Sequence, residues 1–275
     1  MNAQKKNSRI LFAAIICFWF AQYVYIPFQT PYLAGIGTSA GMIGMIIGAY
    51  GISQMLLRLP VGVLADCRNR HKQFIMIGGL SSGVASIFRV LLQNGIGFFI
   101  ANMFSGLASA MWISFMVLYM SFYPTEQQKA TGQVVLANNL GMLTGFVAST
   151  FLYQRVGMRM ICVFSICAGL MCVLIASRLP KGDEQPKDIT VRELVSVCFS
   201  KRLILFAVLA LVQQGVQMTT TMSFTNQIIK NLGADTATIG MASIIYMMSA
   251  VVWSKFASAN VCGRIAPKGW ITVVF

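Results

Sequence analysis

Residues 58–72 read RLPVGVLADCRNRHK. An arginine and a proline stand inside an apolar run. Gly62 then precedes Asp66 by four residues, and Arg68, Arg70, His71 and Lys72 follow at once. Apolar stretches of bilayer length lie on either side, over 41–64 and 73–92. A short charged knot between two such stretches fits a loop at a membrane surface, with its charges in water and its flanks in lipid.

The whole composition agrees. The 275 residues are 57% hydrophobic and only 10% charged, against about 25% charged in a soluble domain. Mean hydropathy is +0.72. There are 21 Lys and Arg against 7 Asp and Glu, a formal charge of +14. These bases are dispersed in short segments between apolar runs, unlike the single patch of a nucleic-acid binder. The seven cysteines have neither paired nor metal-ligand spacing and read as small buried residues.

Eight runs are long enough to span a bilayer: 10–33, 41–64, 73–92, 96–122, 131–153, 158–179, 203–229 and 238–261. A ninth opens at Trp270. The first follows Lys5, Lys6 and Arg9, yet it is too long for a signal peptide and lacks a small-residue cleavage site. With the N-terminus inside, 16 Lys and Arg fall on the cytoplasmic side and three, Arg155, Arg159 and Lys230, on the other. That asymmetry sets the expected orientation. The division expected is a six-helix bundle over 1–179, a cytoplasmic linker over 180–202 and an incomplete second bundle over 203–275. Leu194, Val195 and Cys198 would give the linker a short amphipathic face.

An internal repeat supports two halves. GIGTSAGMIGMIIGAY (35–50) matches NLGADTATIGMASIIY (231–246) at a constant offset of 196 residues. The offset carries Gly37 to Gly233, Gly44 to Gly240, Tyr50 to Tyr246 and Arg68 to Arg264. It also places Phe275 a few residues into a third span of the second half, so helices nine to twelve are expected to be missing. Parallel repeats with a substrate held between the halves are one known transporter architecture.

The 58–72 loop, with its Gly62, Asp66, Arg68, Arg70 and Lys72 after the second span, resembles the signature loop of the major facilitator superfamily. The resemblance implies an all-α polytopic fold of two six-helix bundles. It also implies that the loop latches the halves on the cytoplasmic side when the site opens outward. Gating is therefore expected at Gly62, Asp66, Arg68, Arg70 and, within the preceding span, Arg58. Gly62 would admit a close helix. Two departures are visible: Cys67 stands where a base is usual, and Asn69 where glycine is usual, although asparagine tolerates a left-handed turn. The second-half counterpart, SANVCGRIAPKG (258–269), has no acid.

Polar side chains inside spans are costly and face a cavity or another helix. Gln22, Tyr25 and Gln29 recur every three to four residues on helix one. Helix seven reads QQGVQMTTTMSFTNQ over 213–227. In the resembled family helices one, four, seven and ten line the path, so solute contact is expected from Gln22, Tyr25, Gln29, Trp112, Gln213, Gln217 and Thr220. The alternative is hydrogen bonding between helices. Arg89, near the outer end of helix three, is expected to snorkel, and Arg58 and Arg89 could each attract an anion. The glycine pairs Gly44/Gly48 and Gly141/Gly145 are expected to mark close-packed faces.

All seven acids and the sole histidine lie in loops or at helix ends. On helix four the family's antiporter arginine would fall at Asn102, and GMLTGF (141–146) lacks the following proline. Proton antiport is not expected unless further helices supply an acid. No nucleophile–base pair, phosphate loop or metal-ligand set is present, so neither an enzyme nor a cofactor is expected. The expectation is a multi-pass secondary transporter of the cell (inner or plasma) membrane, monomeric at full length, whose partners are a small solute and the lipid bilayer. Efflux of drug-like or metabolite molecules is favoured. A sugar or metabolite uptake carrier, or a transporter-like solute sensor, is the alternative.

Overall fold

The computed structural model describes residues 2–180, positions scattered within 201–216, and residues 224–256. The linker reading at Leu194, Val195 and Cys198 and the loop over 258–269 lie outside the described residues. Nine helices are described in full: α1 (Asn2–Tyr23), α2 (Ile26–Gly35), α3 (Ala40–Arg68), α4 (His71–Leu91), α5 (Gly95–Ala110), α6 (Trp112–Ser121), α7 (Gln127–Ser177), α8 (Thr225–Asn231) and α9 (Thr236–Phe256). No strand occurs among the described residues.

Six helical segments are long and apolar enough to cross a membrane. The first is α1 and α2 together. Pro27 stands at the start of α2, where its ring fits the first helical turn and its missing N–H interrupts the preceding helix. Helix α7 has 51 residues, about 76 Å if straight and more than twice a bilayer core. It is two spans. Gly157 breaks it with φ 71° and ψ 174°, between the runs 131–153 and 158–179.

The loop after α3 forms as its residues dictate. Asn69 caps the helix in the left-handed region at φ 47°, and its N–H and that of Arg70 bond the carbonyls of Asp66 and Ala65. Two residues later α4 begins. Lys72 Nζ then reaches the carbonyl oxygens of Ser177, at 2.8 Å, and Leu179. A cation thus meets the free carbonyls at the end of α7, where charge and donor are both favourable.

The repeat is visible as geometry. Helix α2 ends at Gly35 and α8 at Asn231; α3 starts at Ala40 and α9 at Thr236. Both pairs are 196 residues apart. Between them Gly37 and Gly233 take the same positive φ, 81° and 88°. Ser39 Oγ accepts from Met42 N at 3.3 Å, and Asp235 Oδ1 accepts from Thr238 N at 2.9 Å. One turn and one N-cap are built twice with different capping chemistry.

Helix packing rests on small residues, though not all those expected. A Cβ on Gly141 would lie 2.7 Å from the carbonyl of Ile16, and one on Gly145 3.2 Å from the backbone of Val24. That pair is a close-packed face between α7 and α1. Gly44 and Gly48 are different: among the described residues a Cβ there meets nothing within 4 Å. The expectation for this pair is corrected, and the tight contact on α3 comes instead from across the groove. A Cβ on Gly106 of α5 would fall 2.5 Å from the carbonyl of Tyr50. Gly62 is less closely packed. Its Cβ would stand 3.5 Å from Ile113 Cδ1, ordinary contact, so no glycine is required there.

Candidate functional site

The polar side chains of helix one converge on α4 and α5 inside the bundle. Gln22 and Tyr25 are almost wholly buried, as is Gln29 one turn on. Gln22 Nε2 donates to the carbonyl of Ser105 at 3.0 Å, and Tyr25 Oη lies 3.3 Å from Ser105 Oγ. Asn102, one turn before Ser105, donates from Nδ2 to the carbonyl of Ile46 at 2.7 Å. Helices α1, α3 and α5 are thereby tied through one polar seam.

Arg89 occupies the centre of this seam. The expectation that it snorkels is overturned: it is 1% exposed. Its Nη2 donates to Tyr25 Oη (2.9 Å), Asn102 Oδ1 (2.8 Å) and Ser105 Oγ (2.8 Å), and Nη1 to Ser86 Oγ (3.1 Å). Its Cζ lies 3.7 Å from the centroid of the Tyr25 ring, a cation–π contact. Ser86 continues the network to Ser165 Oγ at 2.7 Å, which donates to the carbonyl of Ala21 at 2.5 Å. Neutral oxygens held by three helices make burial tolerable, so the long side chain turns inward instead of climbing to the interface. Sequence reasoning missed this; the signal was Ser86, Asn102 and Ser105, acceptors that share the interior. Asn102, where the family's helix-four arginine would stand, is met by a guanidinium from helix three.

Trp112 is elsewhere. It packs edge-on against Trp19, with ring centroids 5.1 Å apart, and beside Phe115 at 5.9 Å, in an apolar cluster rather than with the glutamines. Gln213 is exposed and helical. Gln217 and Thr220 lie outside the described residues.

Contacts along the length of α9, and from α8, join them to the first bundle: Asn139 Nδ2 donates to the carbonyl of Ala250 at 3.4 Å, and Ile244 and Met247 pack into the apolar core. Asn226 Nδ2 donates to the carbonyl of Pro27 at 3.0 Å, and Lys230 Nζ to that of Pro31 at 2.9 Å. Along α7, Gln154 Nε2 donates to Thr236 Oγ1 at 2.9 Å, and a Cβ on Gly240 would strike Thr150 at 2.3 Å. The contacts of Asn226, Lys230 and Thr236 lie at the end away from the N-terminus, and the first two draw together chain segments 199 residues apart.

At the N-terminal end the charged loop holds a different set. His71 Nε2 lies 3.6 Å from Asp66 Oδ1, with His71 buried and Asp66 one-third exposed. Arg68 is exposed in the last turn of α3 and Arg70 is exposed at the start of α4. Arg58 is exposed on α3. A concavity of about 760 Å³ at this end is lined by Lys5, Lys6, Arg9, Ile10 and Arg178.

A family model described as Major Facilitator Superfamily matches residues 11–275. The chain is 31% identical over 84 residues to an uncharacterised MFS-type transporter of Methanocaldococcus jannaschii, covering 30% of this chain and 22% of that protein. It is 23% identical over 139 residues to an uncharacterised transporter of Buchnera aphidicola, covering 50% and 35%. Among solved structures, a bacterial homologue of the human lysosomal transporter Spinster, inward-facing and unoccupied, superposes with a TM-score of 0.63 at 15% identity, over 91% of this chain and 60% of that one. A D-xylose–proton symporter superposes with a TM-score of 0.63 at 14% identity, over 93% and 68%. The likeness to both solved structures is one of fold. The matched stretches span about a fifth and a third of the two sequence relatives.

Proposed function

Since the chain belongs to the major facilitator superfamily, we propose that it carries a small organic solute across a membrane by alternating access between two bundles. The first bundle occupies 1–179, the linker 180–202, and the second bundle begins at 203. The N-terminus faces the cytoplasm of a cell whose inner or plasma membrane holds the protein. Lys and Arg crowd that side, and the basic concavity of Lys5, Lys6, Arg9 and Arg178 lies there.

The observation that carries the reading is the junction at the outer end. Asn226 and Lys230 of the second half close on the Pro27 and Pro31 carbonyls of the first. In an alternating-access cycle this junction opens when the site faces outward, and the loop with Asp66, Arg68 and Arg70 closes the inner side in exchange. Arg58 and Gly62 belong to the helix that moves with that loop. Gln22, Tyr25 and Gln29, with Trp112, Gln213, Gln217 and Thr220, make the path that the solute touches. Export of drug-like or metabolite molecules is the favoured direction.

A sugar or metabolite uptake carrier is the second reading. The buried glutamines, serines and asparagine around Ser105 suit hydroxyl groups. The test is flux. Proteoliposomes holding the protein are loaded with labelled candidate solutes, and movement is followed in both directions against empty vesicles. Accumulation or release that needs the protein supports a carrier and gives its direction. Saturable binding without flux would replace the carrier by a solute sensor.

A further inference from the structure

Among the described residues the Arg89 seam has a charge with no counter-charge. Every partner of the guanidinium among them is neutral: Tyr25, Ser86, Asn102 and Ser105. The described carboxylates are engaged elsewhere, Asp66 beside His71, Glu126 beside Lys129 and Asp235 on Thr238. A buried cation without an anion is expensive in any low-dielectric interior, and more so within a bilayer. Hydrogen bonds alone would be supplied more cheaply there by a neutral amide.

The seam also has unmet hydrogen-bonding capacity of both signs. Among the described residues the buried Arg89 Nε has no acceptor. The buried Gln22 Oε1 and Gln29 Oε1 likewise have no donor among the described residues. All three residues are at least nine-tenths buried. Gln22 and Arg89 meet on the same residue, Ser105, and Gln29 lies one helical turn past Tyr25, whose ring carries the guanidinium. An orphan N–H on a cation asks for an anionic oxygen. Orphan amide oxygens nearby ask for an O–H or N–H donor.

We infer that Arg89 with Gln22, Tyr25 and Gln29 forms a subsite for an anionic solute, a small carboxylate that also bears a hydroxyl or amino group. The carboxylate pairs with the Nε–H edge of the guanidinium, and the donor group reaches the glutamine oxygens. Charge neutralisation on binding lowers the cost of holding Arg89 in the bundle, so solute and bundle stabilise each other. Tyr25 is a positioning residue: its ring fixes the guanidinium plane, and opening of the seam turns that plane towards the path. The inference rests on the carrier reading and narrows its substrate class.

The test uses matched acids and amides, so that shape is held and charge is changed. The purified chain in detergent is heated with millimolar L-lactate or L-lactamide, and with nicotinate or nicotinamide, and unfolding midpoints are compared. The expected result is a rise with L-lactate that L-lactamide does not give, and a smaller rise with nicotinate, which lacks the donor group. Arg89→Gln is expected to weaken lactate binding by roughly tenfold or more, the loss of one charge-assisted bond, while Arg89→Lys retains part of it. Equal shifts by acid and amide, or no shift by either carboxylate, overturn the inference without needing any variant to fold. Flux of neutral solutes measured alongside separates the two failures. Neutral flux without carboxylate binding removes the anion subsite and leaves a carrier. Carboxylate binding without flux of any solute removes the carrier and leaves the subsite.

Discussion

Asn226 Nδ2 bonds the carbonyl oxygen of Pro27, 3.0 Å away, although 199 residues separate them. The oxygen is free for a reason written in the sequence. In an α-helix the carbonyl of residue 27 accepts from the N–H of residue 31, and residue 31 is proline. The helix therefore offers a buried acceptor, and the second half supplies the donor. Asn226 is itself 3% exposed and lies 3.4 Å from Ser243 Oγ.

This relation predicts a specific non-additivity. Asn226→Ala leaves the Pro27 oxygen buried and unsatisfied, at a cost of about 1–3 kcal/mol. Pro31→Ala returns the missing N–H to the helix. The double variant is then expected to lose markedly less than Asn226→Ala loses alone. Thermal unfolding of the four proteins in detergent, read as a double-mutant cycle, checks it. Simple additivity would show that the asparagine acts by some route other than the proline's carbonyl.

Glycine substitutions sort by what a new methyl meets. Gly106→Ala drives a Cβ to 2.5 Å from Tyr50 O and 2.9 Å from Gln54 N, backbone atoms that cannot rotate away. The expected loss is about 1–3 kcal/mol. Gly62→Ala meets only Ile113 Cδ1 at 3.5 Å and is expected to leave the unfolding midpoint within about 0.5 kcal/mol of the parent. The same pair measured for flux separates the motif's glycine from its charges. If Gly62→Ala keeps both stability and flux while Asp66→Asn loses flux, the loop works through its carboxylate.

These contrasts mark what the sequence made legible. The spans that fall on described residues could be placed to within a few residues because bilayer length and hydropathy are local properties, and Gly157 separates two spans where the polar residues Gln154 and Arg155 had already parted them; most of 203–229 and the run from Trp270 lie outside the described residues. The 196-residue offset anticipated the paired turns at Gly37 and Gly233, since a left-handed glycine and a polar cap are local too. Arg89 was misread because its fate depends on Asn102 and Ser105, contributed by another helix. Gly44 and Gly106 are both glycines in long apolar helices; which one faces a neighbour is set by helix rotation, and Tyr50 O is the atom that decides it. Gln22 and Tyr25 were found by their spacing, whereas their common partner Ser105 carried no periodic signal.

Lys72 illustrates a cap supplied from a distance. Its Nζ serves the carbonyls of Ser177 and Leu179 at the end of α7. Lys72→Met keeps the aliphatic stem but removes the charge and the donors. The expected cost is about 1 kcal/mol, the sum of a helix-end charge effect and a partly solvated hydrogen bond. Lys72→Arg is expected to restore most of it. Hydrogen exchange at Ile175–Leu179 is the direct measurement, with faster exchange in the methionine variant confined to that last turn. An unfolding midpoint that drops equally for both variants would mean that the site needs the lysine's shape rather than its charge.

The two N-caps of the repeat differ in their response to pH. Ser39 Oγ is neutral across the whole range, whereas Asp235 is a carboxylate. The hydroxyl and the backbone N–H of Thr238 hold the Asp235 carboxyl below the ordinary aspartate value, the hydroxyl bond being the larger cause. A lowered folded-state pKa means that the cap's contribution is complete above the unfolded value and is lost as pH falls through the folded one. Protection of the amides in the first turn of α9 should therefore be flat from neutral pH down to the ordinary aspartate range and fall only below it. Asp235→Ser should convert this end to the behaviour of Ser39, capped at every pH and flat in acid. Asp235→Ala should lack the protection throughout. Hydrogen exchange of Thr236–Gly240, corrected for intrinsic rates and compared with Ala40–Gly44 in the same sample, makes the measurement internally controlled. The same acid loss in Asp235→Ser as in the parent would place the titrating group elsewhere and remove the carboxylate from the cap's account.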